Sequence, residues 1–156
     1  MLPSQRAHPV PDSWQCTIDL ATIDPAMIGL DTNILVRYLT HDDPTQTAAA
    51  TRVMNSLSSD SPGFLSLIVI AELVWVLAIS YRFRKGEIEP VLETLLRSKE
   101  LVIERAEIVS QALRAFSTGS ADFADCLIER CAHAAECQYT VTFDRKATST
   151  GMRLLR

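Results

Sequence analysis

The chain has 156 residues, of which 47% are apolar and 22% charged. That is one domain with room for a real core, and it excludes a disordered chain. A formal charge of −4 and a pI near 5.3 exclude a dominating basic face that would wrap nucleic acid by charge alone, while a small basic groove stays open.

The first 26 residues differ from the rest. They hold four of the seven prolines, no sustained apolar period and a net charge of −2. They read as an extension with little structure of its own, ahead of a domain over 27–156. Met27 would serve as a start for that domain, and an upstream start codon chosen in error would produce such a leader. No apolar signal-peptide core lies in Met1–Asp24.

Met27 to Leu30 is a short apolar run that ends at Asp31 and suits a buried strand. Asn33 to Leu39 reads as a short helix, broken by His41-Asp42-Asp43-Pro44. Asp43-Pro44 caps the next helix, expected over Pro44 to Leu57. A loop at 58–63 leads into a brief strand at Phe64 to Ser66. Leu67 to Tyr81 reads as a helix apolar on almost every side, and hence central. Its apolar run, Leu67 to Ile79, has thirteen residues with Glu72 inside it. A membrane span needs roughly 20, so none is expected. Amphipathic helices follow at Gly86 to Arg97 and Ala106 to Phe116, with a strand at Leu101 to Ile103 between them. Ser120 or Asp122 caps a helix that reaches about Ala135. Strands are expected at Tyr139 to Thr142 and Met152 to Leu155. Alternating strands and helices predict an α/β fold, a three-layer α/β/α sandwich around a mostly parallel sheet.

The four cysteines (Cys16, Cys126, Cys131, Cys137) form no CxxC pair. They read as reduced thiols of a cytoplasmic protein, not as a disulfide scaffold or a zinc site.

Solubility alone does not explain where four acids fall. Asp31 ends the first strand, and ligands of open α/β sheets bind beyond the carboxyl ends of strands. Glu72 is the only ionisable residue between Phe64 and Ser80. A lone carboxylate in an apolar helix is costly unless something pairs with it. Asp125 opens the 122–135 helix, and Asp144 follows the strand at 139–142. Each has a plainer reading. Asp31 caps a helix, Glu72 lies on one exposed strip, and Asp144 is a turn residue. Asp122 is a cap, a fifth acid of the site, or both. Carboxylates crowded without a cation repel, and a divalent ion with a preference for oxygen ligands resolves that conflict.

At these residues the sequence resembles the PIN-domain family, and within it the VapC-type toxins of toxin–antitoxin pairs. Ile28-Gly29-Leu30-Asp31-Thr32-Asn33-Ile34-Leu35 looks like that family's opening strand, first acid and helix. Ala71-Glu72-Leu73-Val74-Trp75 looks like its second-acid helix. Asp122-Phe123-Ala124-Asp125-Cys126 and Thr142-Phe143-Asp144-Arg145 resemble its third and fourth motifs, in the expected order. The resemblance covers about residues 27–156. Residues 1–26 have no counterpart in it, and Cys126 stands where a small residue such as Ala is usual.

The resemblance implies an endoribonuclease dependent on Mg²⁺ or Mn²⁺, with Asp31, Glu72, Asp125 and Asp144 as catalytic metal-binding acids and Asp122 as a further ligand. Thr32 looks like the family's hydroxyl residue that holds a water or a phosphate oxygen. The expected chemistry is attack by an activated water, leaving 5′-phosphate and 3′-hydroxyl ends. His8, His41 and His133 are not placed as a general acid/base pair. Arg82, Arg84, Lys85 and Arg145 are candidate contacts to RNA phosphates, the alternative being a solvated loop near a helix end. The implied partners are RNA (single-stranded or structured, such as tRNA), a cognate antitoxin and a second copy, with the helices at 44–57 and 67–81 as candidate contacts. Two other classes compete. One is a PIN-like module that acts by RNA or protein binding without useful catalysis. The other is a phosphotransfer domain, which would need a second Asp two residues after Asp31, where Asn33 stands.

Overall fold

The computed structural model describes residues 26–156. The extension expected over 1–26 therefore lies, Ala26 apart, outside the described residues.

Two crossovers build a parallel sheet. Strand β1 (Ile28–Gly29) is followed by α1 (Thr32–Thr40) and α2 (Pro44–Ser56), then β2 (Gly63–Leu65) by α3 (Leu67–Ile79) and α4 (Lys85–Arg97), then β3 (Leu101–Ile103) by α5 (Ala106–Thr118) and α6 (Phe123–Ala134). β2 lies between the other two, pairing Ile28 with Gly63 on one side and Gly63 with Leu101 on the other. Strands β4 (Val141–Thr142) and β5 (Arg153–Leu154) form a second parallel pair, Val141 opposite Arg153, joined through a 3-10 turn at Ala147–Thr150. The expected α/β sandwich is what the chain builds. Its parallel ladder is divided into three strands and two.

Local chemistry sets most boundaries. Asp43 Oδ1 accepts the Gln46 N–H at 2.9 Å at the start of α2, with Pro44 in the first helical position. Ser66 Oγ accepts Val69 N–H at 3.2 Å and starts α3. Asp122 Oδ1 accepts Asp125 N–H at 2.9 Å and starts α6. His41 in the left-handed region (φ 55°) ends α1. Gly63 marks a close approach, since a Cβ there would stand 2.6 Å from Leu30 Cδ1.

The core runs across the helices that flank the sheet. Ile70, Leu73 and Leu77 of α3 are fully buried, with Val109 and Ala112 of α5. Each buried leucine stabilises the fold by about 2 kcal/mol through apolar burial. Phe116 meets Phe123 edge-on at 5.8 Å between ring centres, which locks α5 to α6.

One expectation fails. α3 is apolar nearly all round, yet it is not buried all round. Ile70, Leu73, Val74 and Leu77 face the core, while Ile68, Glu72, Trp75 and Ile79 face out. Sequence periodicity could not show this, because both faces carry apolar residues. Among the described residues no helix is long and apolar enough to cross a membrane.

Candidate active site

Asp31 holds the N-cap position of α1 in extended backbone, but its side chain makes no capping hydrogen bond. It accepts from Asn33 Nδ2 instead, at 3.2 Å. The exposed carboxylate is thus left over from the helix start, which weighs against a purely capping role. The backbone does the local work, with Asp31 O accepting the Ile34 N–H at 3.1 Å.

Glu72 lies on the exposed strip of α3, not inside a buried helix as the costly-carboxylate argument supposed. It has a partner all the same. Thr32 Oγ1, on a side chain only 3% exposed, donates to Glu72 Oε2 at 2.5 Å. That bond ties the start of α1, and Asp31 beside it, to the second turn of α3.

The other acids gather at α6. Asp122 does act as the N-cap, through one oxygen. Asp125, half-buried in the first turn, has its carboxyl pushed above the usual range by burial first, then by the charges of Asp122 and Asp144. Asp144, beyond β4, accepts Lys146 N–H at 2.8 Å, so the turn reading holds for one of its oxygens. Its charge still reaches Asp125. Among the described residues no ion pair relieves that repulsion. The ion pairs among the described residues are Arg37–Asp42, Arg97–Glu93, Arg105–Glu107 and Arg130–Glu129, and none includes Asp31, Glu72, Asp122, Asp125 or Asp144.

The donor set suits a hard divalent cation, being all carboxylate oxygen with charge to neutralise. Among the described residues no three His, Cys, Asp or Glu side chains stand close enough together to hold one ion.

Cys126, in the position where the resemblance leads one to expect Ala, is buried. Burial and the nearby Asp122 and Asp125 push its thiol up to about 11, so it is packing and not a nucleophile. A cavity of about 140 Å³ is walled by Trp75 and Ile79 of α3, Ile88 of α4, Phe116 of α5 and Phe123 of α6, and of the five acids only Asp122 lines it.

The basic candidates divide. Lys85 is committed to the fold, donating to the Gly119 carbonyl at 2.7 Å with its ammonium 4.8 Å above the Phe116 ring. That bond closes the end of α5, and sequence cannot show a bond across 34 residues. Arg84 is the N-cap residue of α4, its N–H donating to Glu87 Oε2 at 2.8 Å. Arg82 and Arg145 are exposed. Asn33, which donates to Asp31, is a neighbour of the acids that the sequence reading did not single out. Its signal was present, a side-chain donor two residues after the first acid.

The PIN domain family model matches residues 28–151. The chain is also 26% identical, over 125 residues, to the VapC ribonuclease of Aquifex aeolicus (strain VF5), a match that covers 80% of this chain and 92% of that protein. The span matched by the family model contains all five acids and strands β1 to β4 but leaves out β5 and the extension. With four strand-end and helix-start acid motifs in order on a parallel α/β frame, the chain belongs to the PIN domain family.

Proposed function

We infer that the protein is a metal-dependent endoribonuclease and the toxin of a toxin–antitoxin pair, working in the cytoplasm. The observation that carries this reading is a set of carboxylates engaged by no ion pair among the described residues: Asp125, raised by burial and then by the charges of Asp122 and Asp144, and Glu72, held by Thr32 beside Asp31. A protein gains nothing in stability from such a cluster. The likeness to a protein named as a ribonuclease supports the same reading.

Asp31, Glu72, Asp125 and Asp144 are the residues that would hold Mg²⁺ or Mn²⁺, with the second oxygen of Asp122 as a further ligand. When bound, such an ion lowers the pKa of a coordinated water and offsets charge on a phosphoryl oxygen. The chain's own residues do the rest. Thr32 orients the Glu72 carboxylate, and Asn33 orients that of Asp31. Arg82, Arg84 and Arg145 draw the phosphate backbone toward an otherwise acidic site. The substrate is RNA, either single-stranded or structured as in tRNA. A cognate antitoxin and a second copy of the chain are the protein partners. Residues 1–26 are an extension to a nuclease domain over 27–156.

The test is cleavage of labelled single-stranded RNA and of a tRNA pool by the purified protein, with Mg²⁺, with Mn²⁺ and with EDTA, beside Asp31→Ala. Cutting that EDTA and the substitution both abolish, leaving 5′-phosphate ends, is the expected result. A second reading draws on the acid spacing: with no three acids in reach of one ion among the described residues, a PIN-type module that binds RNA or protein without cleaving it would also fit. Folded, antitoxin-free, metal-loaded protein that binds RNA and never cuts it would establish that reading.

A further inference from the structure

The chain through β4 alternates in its exposure. Thr140 and Thr142 are half-buried, while Tyr139, Val141 and Phe143 are exposed, so these three share the outward side of the strand. Arg153 of β5, opposite Val141 in the register, stands on the same side. Phe143 is 81% exposed, more than any other large apolar side chain among the described residues, and Tyr139 is 49% exposed. A phenylalanine held in water adds nothing to the core, and an exposed apolar face is a contact surface by physical expectation.

The two rings are presented differently. The Arg153 guanidinium lies 4.1 Å from the centre of the Tyr139 ring, a cation–π contact that braces it. Phe143 pairs with no ring and no cation among the described residues. Its backbone is fixed from the C-terminal side, where Asp144 N–H donates to Thr142 Oγ1 at 2.9 Å and Lys146 N–H donates to Asp144 Oδ1 at 2.8 Å. Extended chain from 139 to 143 sets the two rings about 13 Å apart.

Position and charge name the occupant. Phe143 immediately precedes Asp144, one of the acids proposed to hold the metal. A strand whose phosphate reaches the acids from this side passes over Phe143. Arg145, Lys146 and Arg153 are exposed, and no ion pair engages them among the described residues. Apolar rings among free cations complement a polyanion that carries flat bases. The bases must be unpaired, because a helix stacks them on one another and leaves no base face free for a side chain.

We propose that the outward side of the β4–β5 ribbon is a stacking platform for unpaired RNA bases, with Phe143 taking the base beside the cleaved bond and Tyr139, braced by Arg153, taking a base further along the strand. Stacking accepts any base, so the platform selects unpaired nucleotides in a single strand or a loop and reads little sequence. The platform stands on the exposed rings and cations, and only its place beside the cleaved bond rests on the nuclease reading.

Anisotropy titrations of a labelled single-stranded RNA oligonucleotide with the full chain in EDTA test the platform, since binding is then read without cleavage. Phe143→Ala and Phe143→Leu should each weaken binding by about tenfold or more, the loss of one base–aromatic stack, and Phe143→Tyr should retain it. Leucine keeps apolar bulk without a ring, so it separates stacking from simple apolar contact. The salt slope should stay that of the wild type, because no charge is lost. Phe143 is exposed, so all four proteins should share one Tm. An abasic nucleotide, placed at each position in turn, locates the stack. At one position it should weaken binding by the wild type about tenfold and leave binding by Phe143→Ala unchanged. Full binding by the alanine or leucine variant, a tyrosine variant as poor as alanine, or no position that couples to Phe143 overturns the stack. An equal loss on a fully paired RNA duplex overturns the selection for unpaired bases. With Mg²⁺ or Mn²⁺, the coupled position should adjoin the cut and Phe143→Ala should raise KM. A coupled position remote from the cut overturns the placement. Absence of cleavage by the wild type sinks the nuclease reading, while the platform is still judged by binding in EDTA.

Discussion

Thr32 and Glu72 are 40 residues apart in sequence, and the hydroxyl of one donates to the carboxylate of the other at 2.5 Å. This one bond decides what Glu72 is. An exposed glutamate on an apolar strip would otherwise be a solubility residue. Held by a buried threonine next to Asp31, it stands where the proposed site needs it.

Thr32→Val removes that hydroxyl at nearly constant shape. Glu72 is exposed and can turn to water, so the loss of stability should stay near about 1 kcal/mol, the net worth of one hydrogen bond. Cleavage should fall further than stability, by about tenfold, because Glu72 loses its orientation. Urea unfolding and initial cleavage rates on the same samples separate the two effects. A variant with full activity would remove Thr32 from the site.

Asp125→Asn should stabilise the metal-free protein. The Asp125 carboxyl is raised in the folded state by burial, Asp122 and Asp144. A raised carboxyl costs the fold stability at neutral pH, and the cost fades as pH falls through the carboxylate range. Removing the charge should raise Tm by about 1–3 °C in EDTA, the size of a sub-kilocalorie change in a chain of this length. Cleavage should be lost. Mg²⁺ should raise the Tm of the wild type and leave the variant unmoved. Differential scanning calorimetry with and without the metal reads all three.

Acid should loosen the other end of α1. Asp42 accepts from Tyr81 Oη at 2.5 Å, from Arg37 Nη1 on both carboxylate oxygens at 2.6–2.7 Å, and from Thr40. Those bonds, led by Tyr81, lower its carboxyl from 3.8 to about 2. A depressed carboxyl adds stability that is present above its unfolded pKa and is lost as pH falls toward 2. Tyr81→Phe should therefore lower the urea midpoint at pH 7 and narrow the gap between the variant and wild type at pH 2–3. A gap that stays constant with pH would mean that Tyr81 acts by packing alone.

Lys85 separates the two roles weighed for the basic loop. Lys85→Met removes the bond to Gly119 O and the charge over Phe116. Stability should drop by about 1 kcal/mol, with little change in RNA affinity or in its salt dependence. Arg145→Ala should do the reverse, weakening RNA binding and reducing the salt slope by about one. Filter-binding isotherms at several salt concentrations, beside unfolding curves, distinguish them. A Lys85→Met salt slope reduced as far as that of Arg145→Ala would return Lys85 to the substrate.

Much of this protein is written locally. Asp43-Pro44 and Asp122 stop and start helices with their own side chains, so sequence placed α2 and α6 within a residue or two. The amphipathic α4 and α5 follow their apolar period, and the strand-end positions of Asp31 and Asp144 follow from short apolar runs bounded by turn residues. The order of the four acid motifs needs no coordinates at all. The tertiary structure decided what depends on distant partners. α3 is apolar on both faces, so only its packing shows that Leu73 goes in and that Glu72 and Trp75 go out. Lys85 reads as a free cation until α5 brings Gly119 and Phe116 beneath it. The Arg37–Asp42–Tyr81 cluster joins the end of α1 to the end of α3, and the division of the parallel ladder into β1–β2–β3 and β4–β5 depends on pairing across the chain. Caps and periods are short-range energies that a sequence displays. The face a uniformly apolar helix buries, and the group a long side chain reaches, are set by which surfaces meet.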